Sequence, residues 1–354
     1  MPKKVTTQDV ADYAGVSRGS VDRVLKNRPH VSESVRIRVM DAINKTGYLT
    51  PQEENRRILY TSGNERMLLG VMVPNFTGHF EWEIMKGIEN AKDELSEFKV
   101  DVRVRQCSSG YPDEVLSILS DMEEEGVSGI AICSIDDSLI REKIDELEKK
   151  GIPVITYNSD LKDSKRLLFV GQDHMKSGRV AGDIMCKLIR PGEKIIAACG
   201  NREFTSHRDR ITGFLEICAE KGIERDRIVC IETFNDYSIT LKKISDLLSL
   251  DDYSGIYMAN RSVSGCVRAI EDRGLAGKIH LVCHDISEKT VELLSNGLID
   301  FSISQDIYEQ GYLPLILLKN YIQKGSIPNE EEIIERQTMN IVCSENYSYF
   351  NRKS

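Results

Sequence analysis

The sequence predicts an α/β protein: a small three-helix head followed by a two-lobed domain of mainly parallel sheets and crossover helices. Three observations lead there. Residues 1–48 contain no convincing strand and carry their apolar side chains at helical spacing. From Met67 onward, short β-branched runs alternate with amphipathic stretches of helical period, the order that covers a parallel sheet with helices. Ten such runs exceed what one average domain carries, so a chain of 354 residues divides most simply into a head and two lobes.

In the head, Thr7 is expected to cap a first helix through Val10, Ala11 and Ala14 that ends at Gly15. Ser17 caps a second through Val21, Val24 and Leu25. Ser32 caps a third through Val35, Ile37, Val39, Met40 and Ile43, ending at Gly47. Two helices across a tight Gly-Val-Ser turn make a helix-turn-helix, whose second helix enters a major groove by its N-terminal end. That places Arg18, Gly19 and Ser20 against base edges and Arg23 one turn later on the same face. Arginine forks match the paired acceptors of guanine, and a glycine permits close approach. Charge is distributed accordingly: residues 1–60 hold 11 basic against 7 acidic residues, leaving 36 against 49 for the remainder and −9 overall. A basic head on an acidic body brings the head to phosphate and keeps the body away. Gly15-Val16-Ser17-Arg18-Gly19 also fits the nucleophile-elbow pattern, but that turn needs a strand before the serine, and here a helix precedes.

A polar, charged segment, TPQEENRRILYTSGNERM (50–67), joins head to body. The strands then expected are 67–75, 99–107, 129–134, 153–158, 167–172, 194–200, 227–233, 255–260, 279–285 and 301–305. The first change of lobe falls between the strand at 153–158 and a helix starting near 174, which Asp173 caps. The helix at 308–322 is apolar on a broad face, suited to core packing before a dimer seam.

Ligands of open α/β sheets sit outside the carboxyl ends of the strands. Strand ends here carry Asn75, Asn158, Asn260, Asp285 and Gln305, and the helix after 194–200 offers Arg208 and Arg210. Carboxylate, amide and guanidinium groups together suit vicinal hydroxyls, each of which donates and accepts. Phe80 and Trp82, after the first strand, could stack on a sugar face, although aromatic residues at helical spacing also suit a core.

The stretch VTTQDVADYAGVSRGSVDRVLKNRPHVSESVRIRVMDAINKTGYLTP (5–51) resembles the DNA-binding segment of the lactose-repressor (LacI) family of bacterial regulators. The resemblance implies Arg18 and Gly19 at base-reading positions, Arg23 at a further base contact, and Thr6, Ser17, Ser20, Lys26 and His30 near phosphates. Asp22 departs from the pattern, standing where the family often has serine, and an acidic side chain there repels phosphate. The family's linker forms a hinge helix whose leucine wedges into the minor groove. Here residues 52–60 hold Glu53 and Glu54 and run longer, so Ile58 or Leu59 is the candidate wedge and a flexible tether the alternative.

Residues 67–345 resemble the type I periplasmic sugar-binding fold that this family uses as its sensor. RITGF (210–214), YMAN (257–260), VCHD (282–285) and ISQD (303–306) look like its ligand-binding stretches, which singles out Arg210, Asn260, Asp285 and Gln305. Asn158 stands where sugar binders often place aspartate. The resemblance thus implies a head (1–50), a linker (51–66) and an effector domain (67–345), working as a sugar-controlled repressor. One short helix reads few base pairs, so a homodimer on a palindromic operator is expected.

Other classes fit poorly. No strand is followed by G-x-G-x-x-G, G-x-x-x-x-G-K-[ST] is absent, and the six histidines form no H-E-x-x-H, so neither catalysis nor a cofactor is expected. His284 and Asp285 could mimic a catalytic pair, but adjacent strand residues face opposite ways. Nine single cysteines without zinc spacing read as buried thiols in a reducing compartment, and no metal is expected. With no apolar run of spanning length and no signal-like N-terminus, a cytoplasmic protein without a membrane partner is expected, in contrast to an exported solute-binding protein.

Overall fold

The computed structural model describes residues 5–25, 31–48, 66–108, 110–190, 192–325 and 328–350. Three helices form the head: α1 (Thr7–Ala14), α2 (Arg18–Leu25) and α3 (Glu33–Thr46). Val10, Ala11, Val21, Val39 and Ala42 close a small core between them. Gly15 and Gly47 adopt the left-handed conformation that ends α1 and α3. The first cap differs from expectation. Thr6, not Thr7, occupies the N-cap, where its hydroxyl accepts from Asp9 N while the Asp9 carboxylate accepts from Thr6 N at 2.7 Å, a reciprocal capping box. On α3, Ile37 and Met40 point outward rather than into the core, since Val39 and Ala42 take the inward stripe.

Two sheets follow. The first orders β1 (Met67–Pro74), β2 (Val100–Cys107), β3 (Gly129–Ile132), β4 (Val154–Tyr157) and β5 (Leu168–Val170) as β2-β1-β3-β4-β5, all parallel. Helices α4 (Gly78–Ser96), α5 (Pro112–Glu124) and α6 (Ser138–Lys149) connect them. Leu69, Val71 and Val73 of β1 pack toward α4, and Met72 packs toward α5 and α6, so both faces are apolar. The second sheet contains β6 (Ile195–Cys199), β7 (Ile228–Glu232), β8 (Gly255–Met258), β9 (His280–His284), β10 (Phe301–Ser304) and β11 (Asn340–Val342), ordered β11-β10-β9-β8-β6-β7. Its helices are α7 (His174–Leu188), α8 (Thr205–Glu220), α9 (Tyr237–Leu250), α10 (Val263–Asp272) and α11 (Glu288–Ser295).

Apart from β11, the second sheet repeats the order of the first. Strand β11, which the sequence did not suggest, pairs antiparallel with β10. The chain crosses between lobes three times: after β5, where α7 begins the second lobe; after β10, where α12 (Ile307–Lys324) returns to pack on α4 and the first sheet; and after α13 (Glu330–Arg336), where β11 rejoins the second sheet. Helix α12 is thereby a core helix of the first lobe.

Glycines let paired helices approach closely. A Cβ at Gly87 would lie 2.2 Å from Tyr308 O between α4 and α12, and one at Gly178 would lie 2.0 Å from Arg210 O between α7 and α8. The second contact sets the position of Arg210.

Candidate ligand cleft and nucleic-acid interface

At the start of α2 the Ser17 hydroxyl accepts from Ser20 N at 3.2 Å and shares a hydrogen bond with Ser20 Oγ at 2.9 Å. Val21 and Val24 anchor the helix inward, which turns Arg18, Gly19 and Arg23 to solvent. Neither arginine has a hydrogen bond or ion pair among the described residues. A Cβ on Gly19 would meet only Ser17 Oγ, at 3.8 Å, so this face is open. Thr6 is exposed at the first cap. Lys26, His30 and the candidate wedge residues Ile58 and Leu59 lie outside the described residues.

Between the lobes, residues just beyond the strand ends enclose a cavity of about 280 Å³. The first lobe supplies Asn75, Phe76, Phe80 and Asn158; the second supplies Arg210, Asn260, Asp285 and Gln305 among others. Each sheet changes direction at this level, β1 against β3 and β6 against β8, so the cavity sits at paired switch points. Asn158, Phe234, Asn235 and Asp285 all have positive φ, between 51° and 69°. Non-glycine residues held there carry strain, and that strain gathers at this cleft.

Hydrogen bonds join the lobes behind the cavity. Asn158 Nδ2 donates to Gln310 Oε1 at 2.9 Å, Gln310 Nε2 to Gln305 Oε1 at 2.9 Å, and Gln305 Nε2 to Asp285 Oδ1 at 2.7 Å. Gln172 Nε2 donates to both Ser304 O and Thr338 O at 2.9 Å, binding the three crossing segments together. At the mouth, Arg261 Nη1 donates to Thr77 O at 2.8 Å and its guanidinium lies over Phe76 and Phe80 at 5.8 and 5.6 Å.

Arg210 is 4% exposed, and its Nη1 donates to Ala259 O at 3.4 Å while Nε and Nη2 have no partner. Burial, reinforced by Arg210, holds His174 and His284 well below the usual histidine range. Burial also pushes His207 down to about 4, with Arg210 and Arg261 adding to the effect against a backbone hydrogen bond at Asn201. These rings are neutral at pH 7 and serve as hydrogen-bonding groups, His284 Nε2 with Tyr257 OH at 2.7 Å and His174 Nε2 with Asn158 O at 2.6 Å.

Two sequence candidates are not brought to the cavity. Trp82 lies on the outer face of α4, half exposed, stacked on His79 at 5.9 Å with Lys86 Nζ 4.7 Å above its ring. Arg208 turns outward on α8 and pairs with Asp136 of the first lobe at 3.0 Å. The reason is common to both: helical residues two apart face different sides, and Phe80 and Arg210 hold the inward positions. Conversely, the cavity also takes Phe76, His207, Phe234, Asn235 and Arg261, which the strand-end rule passed over. Extending that rule one to three residues past each strand would have reached Phe234, Asn235 and Arg261. All nine cysteines are free thiols, and among the described residues no group of three potential metal ligands converges.

Comparison with known proteins agrees with this geometry. Residues 6–51 match the family described as bacterial regulatory proteins, lacI family, and residues 69–326 match the periplasmic binding protein domain. Catabolite control protein A of Priestia megaterium is 25% identical over 91% of this chain and 94% of its own length. The sucrose operon repressor of Streptococcus mutans is 28% identical over 51% of each chain. Among solved structures, GanP, a glucose-galactose binding protein from Geobacillus stearothermophilus, superposes with a TM-score of 0.72 at 21% identity, covering 80% of this chain and 99% of that one.

Proposed function

This chain belongs to the lacI family of bacterial regulatory proteins, built with a periplasmic binding protein domain, and from that membership we propose a cytoplasmic repressor whose operator affinity is set by a sugar or sugar derivative held between its lobes. It is a DNA-binding transcription regulator, as its relatives are. The observation that carries the effector reading is the convergence of strand-end amides, Asp285 and Arg210 from both lobes on one cavity. Sugar names among the relatives and the superposed structure support it. The cleft is read as a binding site, because the relatives are transcription regulators. No described helix is long and apolar enough to cross a membrane.

In this reading residues 1–50 read DNA, 51–66 link, and 67–345 bind effector and dimerise. Arg18, Gly19, Ser20 and Arg23 meet bases, and Thr6, Ser17, Lys26 and His30 meet phosphates. Asn75, Phe80, Asn158, Arg210, Asn260, Asp285 and Gln305 hold the effector. A homodimer on a palindromic site doubles the short reading surface of one α2. Effector binding changes the angle between the lobes at the three crossings, and the coupling is the difference in effector affinity between DNA-competent and DNA-incompetent states.

The test is selection of duplexes from a random pool by the full chain, followed by melting of the same protein against sugars, sugar acids and polyols. A selected palindromic duplex held with steep salt dependence, and loosened by a compound that raises the melting temperature, is expected. No salt-sensitive preference for any duplex would sink the proposal.

A further inference from the structure

Charge inside the cleft does not balance. The side chains of formal charge that line it are Arg210, Arg261 and Asp285, two cations against one anion. Asp285 is engaged by Gln305, and neither guanidinium has a carboxylate within 4.0 Å among the described residues. Asp285 and Glu81 act on Arg261 only from farther away, and burial pulls the Arg261 pKa down. Arg166 makes the contrast: its side chain, 8% exposed, faces two carboxylates, Asp160 and Glu330. A buried cation without a counter-charge is unfavourable, so Arg210, with the partly buried Arg261 of the same cavity, calls for a negative group from outside the chain.

Position narrows where that group sits. Arg261 and Asp285 both line the main cavity and also a second compartment of about 240 Å³ that opens beside it. The second compartment is bounded by the start of α10, whose N-cap Ser262 makes no side-chain cap bond, and by the hydroxyl residues Ser264, Ser287 and Thr290. His284, 2% exposed, also lines it and has no partner on Nδ1. Backbone N–H groups at a helix start, hydroxyls and a guanidinium are the donors that an oxyanion accepts from.

We infer that the effector is an anionic polyol, its hydroxyls in the main cavity and a carboxylate or phosphate between Arg261 and the start of α10. This rests on reading the cleft as the effector site. Hydroxyl groups meet Asn260, Asp285, Asn158 and the free Nη2 of Arg210, and the anion supplies the counter-charge that Arg261 lacks.

The experiment is melting and titration calorimetry of the full chain at fixed ionic strength with matched sets: glucose, gluconate and glucose 6-phosphate; galactose and galactonate; ribose and ribose 5-phosphate; and inorganic phosphate and acetate alone. In at least one set the charged member should bind about tenfold or more tightly than its neutral parent, with the set showing whether carboxylate or phosphate is preferred. Arg261→Gln should erase that advantage and Arg261→Lys should retain most of it, each variant's unliganded melting curve reporting its folding. Neutral parents binding as tightly as their charged partners would overturn the charge inference and leave the effector reading standing. A shift given in full by inorganic phosphate or acetate marks an adventitious ion and also overturns it. Silence across the whole panel would bring down both.

Discussion

Replacing Gly178 by alanine tests whether the α7–α8 contact fixes Arg210. The new Cβ would lie 2.0 Å from Arg210 O, 2.7 Å from Arg210 C and 2.8 Å from its Cα, all backbone atoms that cannot rotate aside. Ordinary contact begins near 3.4 Å, so the helices must part by the difference, about 1.4 Å. Overpacking of this kind costs about 1–3 kcal/mol. Against it stands a gain of about 1 kcal/mol from alanine over glycine inside a helix. With a backbone obstacle the upper end applies, and a net loss of about 1–2 kcal/mol lowers the melting temperature by roughly 2–8 °C in a domain of this size. Thermal unfolding by circular dichroism measures it, and Gly213→Ala, whose Cβ would meet Met175 O at 2.1 Å, should behave alike. Because α8 carries Arg210, the stabilisation given by a cleft ligand should shrink as well. A Gly178→Ala protein that melts at or above the parent temperature would refute the reasoning.

Arg18→Ala should weaken operator binding by about 1–3 kcal/mol and relax preference at one base pair, as read by fluorescence anisotropy against single-base variants; uniform weakening across all duplexes would contradict base contact. Thr6→Ala removes the hydroxyl half of the capping box and should cost the head about 1 kcal/mol in thermal melting of the full chain, with no loss arguing against the cap. Acid should destabilise the body through its buried histidines. The folded value of His207, about 4, lies below its unfolded value of 6.5, so the unfolded chain binds the extra proton between them. Stability is then complete above pH 6.5 and falls as pH drops toward 4, by roughly 3 kcal/mol for this ring alone. His207→Gln should flatten the melting curve over that range, and an unchanged slope would count against the assignment.

The central strands of both sheets were legible because their faces are buried on two sides and rich in apolar residues, and the edge strand β2 because its residues alternate. Strand β11 was not: it has three residues, one of them the exposed Ile341, and sits at an edge after a polar run. Which lobe a helix serves was also hidden, since α12 follows a strand of the second sheet yet packs on the first. In the cleft, the strand-end rule found Asn75, Asn158, Asn260, Asp285 and Gln305 because the pocket lies where the rule puts it. It passed over Phe234 and Asn235, whose direction is set by positive φ in the turn after β7 and leaves no periodic trace. Trp82 and Arg208 erred by one helical face beside residues that do point inward.

The run of side chains from Asn158 through Gln310 and Gln305 to Asp285 has a polarity. Every amide in it spends its NH₂ on the next oxygen, and the series terminates at a carboxylate, which has no proton to pass on. One member cannot flip alone without setting two acceptors or two donors face to face, so the four groups hold a single joint orientation. A molecule that competes for the Asp285 oxygen in one lobe therefore bears on the amide that Asn158 presents in the other.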